Sequence, residues 1–150
     1  MSARRREPSL RERALTLLAR REHTRADLAR RLEPHVEEAA QLEPLLDELE
    51  RRKLLSDARY AEARVHALSR KFGTARIERD LRARGVSEEM ASEAVRRAAG
   101  TEFERARAIW QRKFGSLPET LRERAAQARF MLARGFSMDI VKRILEGREE

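Results

Sequence analysis

Two short stretches of this chain occur twice: Arg70-Lys71-Phe72-Gly73 returns as Arg112-Lys113-Phe114-Gly115, and Arg84-Gly85-Val86-Ser87 returns in related form as Arg134-Gly135-Phe136-Ser137. Each stretch ends a segment whose apolar residues recur with the period of a helix. Repeated helical segments with no strand-period segment among them are typical of stacked helical modules, which present a long surface rather than a pocket. The predicted fold class is all-α: an elongated tandem array of three three-helix repeats, with nine helices.

Capping residues predict where the helices begin. The predicted N-caps are Ser or Thr residues just before apolar-periodic segments, namely Ser9, Thr24, Thr74, Ser87, Thr101 and Ser137. At two of these positions an acid three residues later is predicted to return the capping hydrogen bond, Asp27 to Thr24 and Glu104 to Thr101. Pro118 is predicted to lie where a further helix begins.

Glycines predict where helices end. Gly85 and Gly135 are expected in the left-handed conformation, which glycine adopts without a steric penalty from Cβ. Together with the N-caps, these ends predict a basic N-terminal tail at 1–8 and three-helix repeats at 9–55, 56–99 and 100–147.

The charge of the chain is high and unevenly distributed. The net charge is +8, and the three successive blocks of fifty residues carry −1, +6 and +3. A basic stripe of this kind favours an anionic partner such as nucleic acid or an acidic protein face. Solvation of outer helix faces is the alternative explanation for many of the arginines. Residues 33–50 are different, because they hold seven acids and no Lys or Arg.

The sequence offers no sign of catalytic chemistry. Cysteine is absent, and the spacing of His23, His35 and His66 matches no zinc signature, so surface or capping roles are expected for the three histidines. The serines fall mostly at predicted caps, and no glycine-rich phosphate loop is present. We therefore predict no enzyme activity, no catalytic or metal-binding residues and no cofactor. No apolar run approaches the ~20 residues that span a bilayer, so a cytoplasmic location without membrane contact is expected.

A binding surface is better supported than an active site. The run 70–84 holds six basic and two acidic residues, and the helix that starts after Gly73 offers free N–H groups to a phosphate. Contact with a DNA backbone and a merely solvated helix both remain open for this run. Phe72, Trp110 and Phe114 fall on apolar stripes, which favours core positions over stacking on bases.

Several ordered segments give the chain a family resemblance. It resembles the RecX regulatory proteins in Ala14-Leu15, in Leu17-Leu18-Ala19-Arg20-Arg21-Glu22-His23-Thr24-Arg25-Ala26-Asp27-Leu28, in Leu46-Asp47-Glu48-Leu49, in Leu54-Leu55-Ser56-Asp57-Ala58-Arg59-Tyr60-Ala61, in Arg76-Ile77 and Leu81-Arg82-Ala83-Arg84-Gly85-Val86, and in Arg129-Phe130 and Arg134-Gly135-Phe136-Ser137. The resemblance runs over roughly residues 10–146.

This resemblance implies a bacterial cytoplasmic modulator of RecA, the recombinase that coats single-stranded DNA. Such a protein has no catalysis of its own; it limits filament growth, strand exchange and the coprotease activity that triggers the SOS response. The implied partners are RecA, the RecA nucleoprotein filament and single-stranded DNA, with double-stranded DNA as a further candidate, and a monomer is expected. The alternative is a non-specific helical DNA-binding protein that acts without RecA.

The candidate RecA- or DNA-binding face consists of basic residues at recurring repeat positions: Arg20, Arg21, Arg70, Lys71, Arg76, Arg79, Arg82, Arg112, Lys113, Arg129 and Arg134. The acidic helix predicted at 36–50 is a candidate contact for basic patches on RecA.

Overall fold

The structure is a computed structural model that describes residues 6–149 and has no strand within them. Nine α-helices follow one another in this range: α1 Leu10–Arg20, α2 Arg25–Leu32, α3 Leu42–Arg51, α4 Asp57–Leu68, α5 Thr74–Ala83, α6 Glu88–Ala99, α7 Glu102–Lys113, α8 Leu121–Ala133 and α9 Met138–Leu145. The all-α prediction is confirmed for these residues. Of the tail predicted at 1–8, the first five residues lie outside the described range.

The chain forms two compact units. Among the described residues, the first comprises those up to Tyr60 together with Arg84–Val86, and the second comprises Ala61–Ala83 and those from Ser87 onward. Helices α1 to α3 belong to the first unit and α5 to α9 to the second, while α4 begins in the first and continues in the second. The repeat boundaries at 9–55, 56–99 and 100–147 stay a prediction.

The first unit has a leucine core, and its first two helices begin as predicted. The buried side chains of this core are Ala14, Leu28, Leu32, Leu46, Leu49 and Leu55. Ser9 Oγ accepts a hydrogen bond from the Glu12 N–H at 3.1 Å, and Thr24 Oγ1 accepts one from the Asp27 N–H at 3.0 Å. Both helices therefore have a side-chain acceptor for one of the N–H groups that lack a partner within the helix.

Asp27 does not return the capping bond to Thr24, contrary to the prediction. Its carboxylate Oδ2 lies 2.9 Å from Nδ1 of His23, a buried side chain whose Nε2 lies 3.2 Å from the Leu17 carbonyl at the end of α1. Burial acts to raise the pKa of Asp27, but the contacts with His23 and Arg31 outweigh it and the net shift is downward. His23 therefore has a capping role, because it lies against a carbonyl of the last turn of α1.

The acidic side of α3 is held by one arginine of α2. The Arg25 guanidinium lies 2.6 Å from Glu43, 2.9 Å from Asp47 and 3.1 Å from Glu50. Burial acts to lower the pKa of Arg25, but its hydrogen bonds to these three carboxylates raise the pKa overall. The Arg25 backbone N–H also donates to Asp57 Oδ1 at 2.7 Å. The acids of α3 are thus engaged within the first unit.

The predicted helix 36–50 begins later than expected. Two short 3-10 helices, Glu33–His35 and Ala39–Gln41, occupy this part of the chain, and α3 starts at Leu42. Pro44 explains the late start, because a proline lacks the N–H that would bond the carbonyl four residues earlier and its ring clashes with that carbonyl. The proline is accepted in the first turn of a helix, where that N–H has no intrahelical partner.

In the second unit, α7, α8 and α9 enclose a larger apolar core. Its buried members are Ala106, Ile109, Trp110, Met131, Phe136, Ile140, Val141, Ile144 and Leu145. The Trp110 indole N–H donates to Gln127 Oε1 at 2.8 Å, and Gln127 Nε2 donates to the Ser116 carbonyl at 3.2 Å. This buried amide provides the partner that a buried tryptophan N–H needs.

One predicted cap and one predicted helix start in this unit are wrong, although α7 does begin directly after Thr101. Thr101 makes no side-chain cap, because its hydroxyl donates to the Ala98 carbonyl at 3.2 Å, at the end of the preceding helix. Pro118 lies three residues before the first residue of α8, and Thr120 is the N-cap of that helix. The Thr120 Oγ1 accepts a hydrogen bond from the Glu123 N–H at 3.1 Å. Ser87 and Ser137 cap α6 and α9 as predicted.

The glycine helix ends are confirmed. Gly85 and Gly135 have φ values of +94° and +92°. After Gly135 the Phe136 N–H donates to the Met131 carbonyl at 3.4 Å, the backbone bond expected where such a glycine ends a helix.

Candidate nucleic-acid interface

The repeated Arg-Lys-Phe-Gly segments meet within the second unit. The first copy, Arg70–Gly73, follows α4, and the second overlaps the last turn of α7. The Gly73 N–H donates to the Arg134 carbonyl at 2.8 Å, so the turn before α5 touches the turn after α8. This bond joins the first Arg-Lys-Phe-Gly copy to the second copy of the other repeated stretch, Arg134-Gly135-Phe136-Ser137.

Five of the predicted site residues line one groove there. We name it the basic groove: it has a volume of about 450 Å³, its cationic side chains are Arg70, Lys71, Arg112, Lys113 and Arg134, and its apolar side chains are Ile109 and Phe130. No acidic side chain is among its lining residues in the described part of the chain. A groove lined by one sign of charge concentrates ions of the opposite sign.

Four of these cations keep their charge unpaired. Arg70, Lys71, Arg112 and Lys113 are exposed, and none of them forms an ion pair with any residue between 6 and 149. Other arginines are paired; Arg64, for example, lies 2.8 Å from Asp80 on the neighbouring helix. The groove therefore brings together four unpaired cations, two from each copy of the repeated segment.

Aromatic rings beside the groove carry cations over their faces. The guanidinium of Arg76 lies 4.0 Å from the centroid of the Phe72 ring, and that of Arg134 lies 5.7 Å from the same centroid. Over Phe130, Lys113 Nζ lies at 5.3 Å and the Arg134 guanidinium at 5.0 Å. Each such contact contributes about 0.5–2 kcal/mol, depending on its exposure.

The predicted core positions of the aromatic residues hold only in part. Trp110 is buried, but Phe72 and Phe114 are half-buried. Phe114 packs edge-to-face on Phe130, with ring centroids 5.4 Å apart. The rings that support cations at the groove are therefore Phe72 and Phe130, and Phe114 contributes by packing on Phe130.

The predicted phosphate site at the start of α5 already holds a protein carboxylate. The buried Glu102 accepts hydrogen bonds from the Thr74 N–H at 3.2 Å and from the Thr74 hydroxyl at 3.1 Å. Thr74 is the first residue of α5 and not its N-cap, which corrects that prediction as well. A helix N-terminus that is neutralised by a side chain offers little to a phosphate.

Arg105 fixes the segment that carries the first pair of groove cations. Its guanidinium donates to the carbonyls of Ser69 at 2.7 Å, Phe72 at 2.9 Å and Ala98 at 3.0 Å. Burial lowers the pKa of Arg105, and the charge of Glu102 opposes that shift. Glu102 and Arg105, one turn apart on α7, thus hold both sides of the turn between α4 and α5. Neither residue was singled out from the sequence, because their roles depend on contacts 28 to 36 positions away.

The other predicted site residues lie elsewhere. Arg76 donates to the Ala133 carbonyl at 3.0 Å and covers Phe72, which gives it a structural contact. Arg79, Arg82 and Arg129 are exposed and do not line the basic groove. Arg20 and Arg21 belong to the first unit; Arg20 lines a pocket of about 360 Å³, and Arg21 lies 3.6 Å from Asp27.

Metal-site geometry and membrane-spanning helices are not found in the described residues. No cluster of three or more His, Asp or Glu side chains between residues 6 and 149 could hold a metal ion. His35 and His66 are exposed. No helix in this range is long and apolar enough to cross a bilayer.

Comparison with known proteins gives a consistent result. The chain matches the family models of the second and third three-helix domains of RecX, over residues 56–95 and 100–145. It is 44% identical over 142 residues to the regulatory protein RecX of Ralstonia pickettii, which covers 95% of this chain and 89% of that protein. The regulatory protein RecX of Leptothrix cholodnii is 45% identical over 145 residues, covering 97% and 92% of the two chains.

Solved structures agree on the fold. The crystal structure of RecX from Lactobacillus salivarius superimposes with a TM-score of 0.81 at 19% identity, over 92% of this chain and 93% of that one. Because this identity is low, that likeness bears on the fold alone. The identity to the Ralstonia and Leptothrix proteins extends over nearly the whole chain, and the chain therefore belongs to the RecX family of regulatory proteins.

Proposed function

We propose that the protein binds RecA and RecA–single-stranded DNA filaments and inhibits their recombinase, ATPase and coprotease activities, in recombinational repair and the SOS response. Membership in the RecX family over nearly the full chain is the observation that carries this proposal. The protein acts in the cytoplasm as a monomer and has no catalytic activity of its own.

The basic groove is the surface that we assign to the filament. Its four unpaired cations come from both copies of the repeated segment, and none of the residues between 6 and 149 that line it is acidic. Arg and Lys side chains at such a surface release counterions from the DNA backbone on binding, which favours association. Arg20, Arg21, Arg79, Arg82 and Arg129 remain further candidates for contact with RecA or DNA outside the groove.

A charge-reversal experiment tests the groove. The double variant Arg70→Glu/Lys71→Glu should bind RecA filaments on single-stranded DNA at least about tenfold more weakly in a pull-down titration, because repulsion replaces attraction at the phosphates. Arg76 is left unchanged in this design because its contacts with Ala133 and Phe72 are structural.

The matched control is Arg97→Glu/Arg122→Glu, which changes the net charge equally at exposed positions outside the groove. Circular dichroism should show the same helicity for both variants. If the groove variant binds the filament as tightly as the control, the groove is not the filament-binding surface.

The basic groove also favours a second candidate, a non-specific DNA-binding protein that acts without RecA. Such a protein would bind single-stranded DNA alone, with an affinity that falls steeply as salt rises. A filament regulator differs because it changes RecA activity when RecA is in excess over it. Titration of the protein against a fixed amount of RecA filament therefore separates the two candidates.

A further inference from the structure

The aromatic rings at the basic groove are placed unlike those of proteins that read single-stranded bases. In base-reading proteins an aromatic ring presents an open face on which a base stacks. Here the Phe130 ring carries Lys113 at 5.3 Å and Arg134 at 5.0 Å, and the Phe72 ring carries Arg76 at 4.0 Å. A base could stack on the cation-bearing face of either ring only after it displaced a cation.

Displacing Arg134 from these rings would break several contacts at once. Arg134 lies over both rings and also donates to the Lys71 carbonyl at 3.3 Å, so its movement disturbs both rings and the repeated segment together. Two cation–π contacts over Phe130 are comparable in strength to the stacking of one base. Stacking therefore has no clear advantage over the arrangement already present.

A phosphate group can bind without displacing any of these side chains. A cation that lies over a ring keeps N–H groups at its edge, and these remain able to donate to an anion. Arg70, Lys71 and Arg112 are exposed beside the rings and have no ion-pair partner among residues 6–149. Arginine forks match the geometry of phosphate oxygens, and lysine binds them as a point charge.

We propose that the basic groove binds the sugar–phosphate backbone of a single nucleic-acid strand and leaves its bases unread. This inference rests on the DNA contact in the proposed function and specifies how that contact is made. Phe72 and Phe130 act through the cations that they support. The groove therefore binds strands by their phosphate charge, irrespective of base identity.

The test compares strands with and without bases. Fluorescence anisotropy would measure binding of the full-length protein to a 30-nucleotide thymidine strand and to an abasic strand with the same number of phosphates. We expect affinities within about threefold of each other, and the same salt dependence, since each neutralised phosphate contributes a slope of about 0.7 in a log–log plot. An abasic strand that binds more than tenfold more weakly would overturn the proposal.

The variant Phe130→Leu distinguishes a platform for cations from a platform for bases. If Phe130 supports cations, the substitution should weaken binding of both strands by the same factor. If bases stack on Phe130, it should weaken binding of the thymidine strand and leave the abasic strand unchanged, and this result would contradict the proposal. Circular dichroism and the thermal transition would show whether the variant keeps its fold.

Competition separates a nucleic-acid backbone from an acidic protein surface. A polyglutamate peptide of equal charge should displace the thymidine strand far less well than the abasic strand does, and equal displacement would overturn the backbone assignment. If neither strand binds the protein while RecA activity still falls, the backbone proposal fails and the proposed function stands. If RecA activity is also unchanged, both fail.

Discussion

At the scale of single residues, a few polar side chains determine how the second unit is held together. Arg105 supplies hydrogen bonds to three carbonyls, and Glu102 supplies two acceptors to Thr74. Backbone groups at helix ends lack partners within the helix, and burying them unpaired is costly. These two side chains of α7 therefore satisfy the end of α4, the end of α6 and the start of α5.

Replacing Arg105 should destabilise the second unit strongly. In Arg105→Gln the shorter amide cannot reach the carbonyls of Ser69, Phe72 and Ala98 together, and we expect the free energy of unfolding to fall by about 3 kcal/mol. Urea titration followed by circular dichroism measures this change. Arg107→Gln, at an exposed position of the same helix, is the matched control and should change stability by less than about 0.5 kcal/mol. Equal stability of the two variants would show that the Arg105 hydrogen bonds contribute little.

Residue roles were predictable from sequence only where the interaction is local. The caps at Ser9, Thr24, Ser87 and Ser137 follow from a side chain and an N–H three residues apart, and the structure confirms them. Glu102 occupies the predicted phosphate site from a distant helix, which no local pattern reveals. The convergence of Arg70 and Arg112 had a signal in the repeated segments, although their facing the same groove depends on tertiary packing.

At the scale of elements, two helix–turn–helix connections pack backbone against backbone. A Cβ built on Gly73 would overlap the carbonyl group of Gly135, and one built on Gly135 would lie 2.8 Å from the backbone nitrogen of Arg76. The connections can approach this closely only because both positions lack a side chain. The same approach brings Arg134 beside the segment that carries Arg70 and Lys71.

The substitution Gly73→Ala should separate these two connections. Its φ is not in the left-handed region, so the expected cost is steric and amounts to about 2–3 kcal/mol in the free energy of unfolding. Gly100→Ala is the control, because its Cβ would meet only the Arg97 carbonyl at 3.8 Å and its φ of −65° suits alanine. Thermal unfolding should place Gly100→Ala at or above the parent and Gly73→Ala well below it. A Gly73→Ala protein as stable as the Gly100→Ala protein would contradict the close packing of the connections.

Element positions were predicted well where a cap and an apolar period agree, and less well where they do not. The late start of α3 results from Pro44, and the failed cap at Thr101 results from a hydroxyl that bonds backwards to Ala98. In both cases a local feature that the apolar period does not reveal, a proline or a hydroxyl bond to the preceding helix, changes how the helix begins. The period of the apolar residues predicted the all-α class, because a helix that packs one face against a core repeats its apolar residues about every 3.6 positions.

At the scale of the whole molecule, the distribution of charge connects the fold to the proposed function. The net charge is +8, yet the acids of α3 are engaged by Arg25 within the first unit. In the second unit, four cations of the basic groove have no such partner among the described residues. The sequence predicted the positive charge of the middle and last thirds; the pairing that leaves the groove cations available depends on the folded structure.

The RecA ATPase on single-stranded DNA, measured with increasing substoichiometric amounts of the protein, tests the central claim most directly. A filament regulator should reduce the ATPase progressively at ratios well below one protein per RecA, since one bound molecule affects many filament subunits. The Arg70→Glu/Lys71→Glu variant should require at least about tenfold more protein for the same effect, and the Arg97→Glu/Arg122→Glu control should match the parent. An ATPase that stays unchanged at every ratio, while the protein still binds single-stranded DNA, would contradict the account and favour a plain DNA-binding protein.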